Sequence, residues 1–123
     1  MNITFLTAIQ ARIKTVSALS NKVYFEVAPT TATLPYAVYS YVGSITDFDM
    51  ENFVLNVDLW GNAPNTTTLE QVTKSVSDAL NNYSYVSGNT GFILIKSATL
   101  MIADPNEAIR RRRLVFEAHT YGN

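Results

Sequence analysis

Leu34-Pro35-Tyr36-Ala37-Val38-Tyr39-Ser40-Tyr41-Val42-Gly43 is the stretch whose reading decides the fold class. Pro35 fixes its own φ and pushes Leu34 into an extended conformation, so the chain enters the run already strand-like. Tyr36, Val38, Ser40 and Val42 fall on one face of that strand, and Ala37, Tyr39 and Tyr41 on the other. Both faces are substantially apolar, which predicts a central strand covered on both sides.

Working outward, Phe53, Leu55, Val57 and Leu59 alternate with Val54, Asn56, Asp58 and Trp60, the period-2 signature of a second strand over Phe53 to Gly61. The polar segment Thr46 to Asn52 between the two reads as a turn, and its shortness favours an antiparallel hairpin. Upstream, Ile3, Leu6, Ile9, Ile13, Val16 and Leu19 recur every three to four positions and predict an amphipathic helix ending at Ser20-Asn21. Lys22 to Val27 reads as a short strand, with Val23, Phe25 and Val27 on one face. Downstream, Asn62-Ala63-Pro64-Asn65 breaks the chain, and Thr67 with Glu70 fits a capping box for a second helix. Leu69, Val72, Val76, Ala79, Leu80 and Tyr83 form its stripe. Two further long strands follow, Phe92 to Ala103 and Arg112 to Tyr121, joined by a turn at Asp104-Pro105-Asn106. The expected order is α-β-β-β-α-β-β. It defines a single α+β domain over 1–123, with a mostly antiparallel sheet of about five strands packed against two amphipathic helices. Periodicity leaves open whether both helices share one face. The core is expected at Val38, Val42, Leu55, Val57, Leu59 and the two helix stripes.

Composition removes several classes of function. The 123-residue chain has no cysteine, which excludes disulfides, zinc–thiolate sites and thiol nucleophiles. A net charge of −1 gives no overall attraction to nucleic acid or to an anionic membrane. Charged residues make up 15%, low enough to suit a surface partly covered by partners, although plain monomers also show it. No apolar run approaches the ~20 residues of a membrane-spanning helix. Met1 to Phe5 lacks the basic start of a signal peptide, so the sequons at Asn2, Asn65 and Asn82 carry no expectation of glycosylation.

Few residues invite chemistry. Asp47, Asp49 and Glu51 form a carboxylate cluster, but a calcium loop wants more oxygen ligands and a glycine where this chain has Asn52. A solvated turn is the plainer reading. His119, the only histidine, has no partner at a spacing that makes a triad or a metal site. Arg110-Arg111-Arg112-Arg113 holds four of the nine basic residues. It admits a phosphate contact, but a strand sends alternate side chains to opposite faces, so ion pairing or plain solvation is the stronger expectation. The seven tyrosines and Trp60 are scattered and read as core or interface. No phosphate loop, nucleophile elbow or dinucleotide fingerprint is present, so no catalytic residue, cofactor or metal is expected.

Over roughly residues 1–83 the chain resembles the tail completion, or tail terminator, family of long-tailed bacteriophages. The resemblance rests on the N-terminal amphipathic helix followed by Val23-Tyr24, on Leu34-Pro35-Tyr36-Ala37-Val38-Tyr39, on Val57-Asp58-Leu59-Trp60-Gly61, and on the helix carrying Leu69, Val72, Val76 and Leu80. It implies a virion protein without enzymatic activity, assembled in the host cytoplasm as a homo-oligomeric ring, a hexamer in the family. Such a ring caps the tail tube protein, stops its polymerisation and docks to the head–tail connector, with DNA passing through its lumen and no membrane involved. Two alternatives stand beside it: a head-side neck or head completion protein, and a small nucleic-acid-binding module using Arg110 to Arg113. In a ring, the acidic residues Asp47, Asp49 and Glu51 and the basic run Arg110 to Arg113 are candidates to meet across the subunit boundary.

Overall fold

The computed structural model of the chain describes residues 3–47 and 50–122, with backbone alone over 42–47, 50–51 and 122. Helix α1 spans Ile3–Lys14, and a 3-10 turn at Ser17–Leu19 carries its apolar stripe onward. Strands β1 (Val23–Phe25), β2 (Tyr36–Asp47) and β3 (Met50–Asn62) follow, then helix α2 (Thr66–Leu80) and strands β4 (Ser84–Ser87), β5 (Thr90–Ile102) and β6 (Ile109–Gly122). They make one six-stranded sheet in the order β1-β2-β3-β6-β5-β4. Only the β1–β2 pair is parallel; the rest are antiparallel. The α+β architecture expected from the periodicities is present, with one strand more than counted.

Local physics accounts for the departures. Strand β4 is Ser-Tyr-Val-Ser, four residues with no long alternation to announce it. The expected strand from Lys22 to Val27 stops early because Glu26 turns to φ +67°, and Val27 lies exposed. The polar segment after β2 is no broad turn. Asp47 pairs with Met50 and Thr46 with Glu51, so strand pairing continues through Asp47 and Met50. Thr67 does not cap α2. Asn65 does, its side-chain oxygen accepting from Thr68 N–H at 3.3 Å.

Both helices pack on the same face of the sheet and share one core. That face is the Ala37–Tyr39 side of β2, together with Phe53, Leu55, Val57 and Leu59 of β3 and Leu114, Phe116 and Ala118 of β6. The expected core position Val38 is buried, but on the opposite face; Val42 lies outside the residues whose side chains are described. Strand β2 is also not central, since only the short β1 stands outside it while β3 and β6 occupy the middle. Its second apolar face serves a different purpose, described below. Phe92 anchors the core's far side, with ring centroids of Phe5, Tyr83, Tyr85 and Phe53 at 4.8, 5.9, 6.0 and 6.4 Å. Burying such a phenylalanine contributes about 1.5–3 kcal/mol. Gly61 lets α2 approach β3 closely, because a Cβ there would meet Leu69 Cβ at 3.1 Å.

Candidate assembly surfaces

The arginine run opens β6, and the pleat divides it. Arg111 and Arg113 project to the helix-free face; Arg110 and Arg112 project to the helix side. On the helix-free face the register sets Arg113 opposite Asp58 and Arg111 opposite Trp60. Arg113 grips Asp58 with both ends of its fork, Nε to Oδ1 at 2.7 Å and Nη2 to Oδ2 at 3.0 Å. Arg111 Nη2 donates to the same Asp58 Oδ2. One carboxylate therefore serves two guanidiniums. Burial pushes the Asp58 carboxyl up, but the hydrogen bonds and charges of Arg113 and Arg111 outweigh it and hold it below the usual carboxylate value. The Asp58 hydrogen bond in turn raises Arg113.

Aromatic rings extend this cluster across the strands. The Arg111 guanidinium lies 4.6 Å from the Trp60 ring centroid, and Trp60 stacks on Tyr36 at 5.1 Å and 18°. Tyr24 meets Tyr36 edge-on at 6.1 Å. The second apolar face of β2 thus belongs to a ladder running from β1 through β2 and β3 to β6. Burial, then the Asp104 charge, push the Tyr36 phenol up. Beside the ladder, Val27, Val38, Trp60 and Asp58 line a hollow of about 350 Å³.

On the helix side, Arg112 is buried and its Nε donates to Glu70 Oε1 at 2.6 Å, tying β6 to α2. Glu70, expected in a capping box, is this partner instead. Arg110 is exposed and donates to the carbonyls of Glu107 and Ile109. Of the four arginines it alone has no carboxylate partner among the described residues. Ion pairing expected for the run is thus found inside the chain, with Asp58 and Glu70. Neither partner was singled out from sequence, because pairing Asp58 with Arg113 requires knowing that two strands 55 residues apart are neighbours.

Of the acidic candidates, Asp47 and Glu51 lie at the tip of the β2–β3 hairpin, and Asp49 lies outside the described residues. That tip and the arginine run occupy opposite ends of the sheet. Ten residues of β3 separate Glu51 from Gly61, which pairs with Arg110, a span of roughly 33 Å at the usual strand rise. Within one chain the two clusters cannot meet. His119 is exposed, its Nε2 3.6 Å from Glu117. Among the described residues no group of His, Asp or Glu is placed to hold a metal ion, and no helix is long and apolar enough to cross a membrane.

A two-helix layer on one face of a mixed six-stranded sheet, with charge pairs and rings on the other, defines a class of small α+β domain. The same fold occurs in a chain of the solved structure "Virion of native gene transfer agent (GTA) particle", with a TM-score of 0.66 at 19% identity over 92% of this chain and 94% of that one. No family model and no curated protein matches the sequence.

Proposed function

We propose that this chain is a tail terminator subunit of a phage-like particle: a structural virion protein that forms a ring on the tail tube, stops its growth and presents the surface that joins the head connector. The observation that carries this reading is the likeness of fold, over nearly the full length of both chains, to a component of a gene transfer agent virion. The order of motifs over 1–83 supports it independently. The ring acts by occupancy, without turnover, and leaves its lumen for DNA. Charge at its rims sets register and encounter more than affinity. Asp47, Asp49 and Glu51 are the candidates to meet the next copy, and Arg110 is the member of the arginine run without a carboxylate partner among the described residues.

The deciding experiment is electron microscopy of particles made without this chain. Tails of uncontrolled length, lacking heads, are the expected outcome. Tails of normal length that stay unjoined to filled heads would move the protein to the head side of the neck. Normal joined particles would overturn both readings. The nucleic-acid module loses its main support, because Arg111 and Arg113 are held on Asp58 and Arg112 on Glu70.

A further inference from the structure

The sheet is left unfinished at two diagonally opposite places. Strand β4 covers only the first part of β5, pairing Ser84–Ser87 with Thr90–Ile93. Cover continues through Leu94 N–H to Tyr83 O and Lys96 N–H to Asn81 Oδ1, and then stops. Beyond the bulge at Ser97, no strand and no backbone hydrogen bond among the described residues occupies the outer edge of Ala98–Ile102. Because Leu94 and Lys96 turn their N–H groups outward, the extra residue at Ser97 transfers that role to Thr99 and Met101. This edge has none of the usual protection: no proline and no charge, with Leu100 and Met101 44% and 77% exposed.

At the other side of the sheet, β1 covers only Ala37–Tyr39 of β2. Ala37 donates to Lys22 O and Tyr39 accepts from Glu26 N–H, which fixes the outward parity of β2. The bulge at Val42 passes the outward role to Ser44 and Thr46, where no strand among the described residues follows. Two open edges of about equal length therefore exist, each presenting two outward residues. In the sheet β2 and β5 run antiparallel, so a neighbouring copy displaced sideways offers its β2 tip to β5 in the correct sense.

We propose that the occupant of the β5 edge is a second copy of this chain, whose β2 tip adds as an antiparallel strand below β4, with Met101 opposite Ser44 and Thr99 opposite Thr46. Each copy uses one edge as donor and the other as acceptor, so the contact is head-to-tail and propagates into a closed ring. The register brings Asp47 opposite Ala98 on the helix-free face and leaves Arg110 several residues further on. This inference deepens the ring reading above and rests on it.

The test uses proline on the full chain. Met101→Pro and Thr46→Pro each remove one outward N–H without touching the internal ladder, as edge positions allow, and Met101→Ala removes the side chain alone. At concentrations or on tail ends where the wild type assembles, both proline variants should remain folded monomers and Met101→Ala should assemble. Mixed together, the two proline variants should form a one-to-one dimer and nothing larger. The absence of cysteine allows a second readout. Ser44→Cys with Met101→Cys in one chain should give a ladder of intermolecular disulfides, since directly paired Cα atoms lie within the usual bridging distance. Assembly of Met101→Pro like the wild type, or no disulfide ladder from assembled protein, would overturn the edge pairing and leave the ring. Disulfide dimers from Met101→Cys alone would replace it by a twofold β5–β5 contact. Wild-type protein that assembles neither alone nor on tail ends would overturn the ring and the pairing together.

Discussion

Among the described residues Asp58 is the only carboxylate bonded to Arg111 and Arg113. Removing one partner of a largely buried charge cluster leaves the others desolvated and unpaired, which costs about 3–5 kcal/mol when burial is complete. The arginines here keep 22% and 29% of their side-chain surface, so Asp58→Ala should cost about 2–3 kcal/mol in urea unfolding at pH 7. The sign of the pH dependence follows from the lowered Asp58 carboxyl. Its contribution is fully present above the ordinary carboxylate value of 3.8 and is lost as pH falls through the lower folded-state value. The stability gap between wild type and Asp58→Asn should therefore shrink on acidification below about pH 4; a gap unchanged down to pH 2 would count against the pairing. Glu70 is itself 57% exposed, but its partner Arg112 keeps only 9% of its side-chain surface, so Glu70→Ala should cost about 1–2 kcal/mol, less than Asp58→Ala because Arg112 still donates to the Arg111 carbonyl.

Among the elements, those with long regular periods were legible from sequence. The β3 alternation places Leu55, Val57 and Leu59 fully in the core, as the pattern required. Val57→Asp should accordingly cost several kcal/mol and give little soluble protein, measurable as lost thermal transition. What eluded the sequence was decided by pairing between distant segments. The polar segment from Thr46 to Asn52 reads as a turn, yet pairing of Thr46 and Asp47 with Glu51 and Met50 across the hairpin keeps those residues extended. Val38 was placed in the core because both faces of β2 are apolar, and only the stacking of Tyr24, Tyr36, Trp60 and Arg111 reveals that its side has a separate small cluster. The candidate arginines were visible as a run, but their partners were not. Strand alternation foretold that the four would split between faces, whereas Asp58 and Glu70 become partners only once β6 lies against β3 and α2.

At the scale of the whole molecule, charge reversal now separates two roles. Asp47→Lys should change assembly by about tenfold or less, in a salt-sensitive way, as read by sedimentation. Arg110→Glu should leave assembly near the wild-type level, and a loss as large as that of Met101→Pro would favour the arginine end as the contact. The sheet itself consists of two consecutive halves, β1-β2-β3 and β6-β5-β4, joined along the single β3–β6 seam. Within each half most strand pairs are close in sequence, whereas the seam closes a loop of more than 50 residues between Asp58 and Arg113. Seam closure should therefore be the slow event in refolding. The only tryptophan sits on that seam, stacked on Tyr36 within its own half and on Arg111 across it. Refolding followed by tryptophan emission should show hairpin formation and the meeting of the halves at one reporter, with the later phase lost in Arg111→Ala.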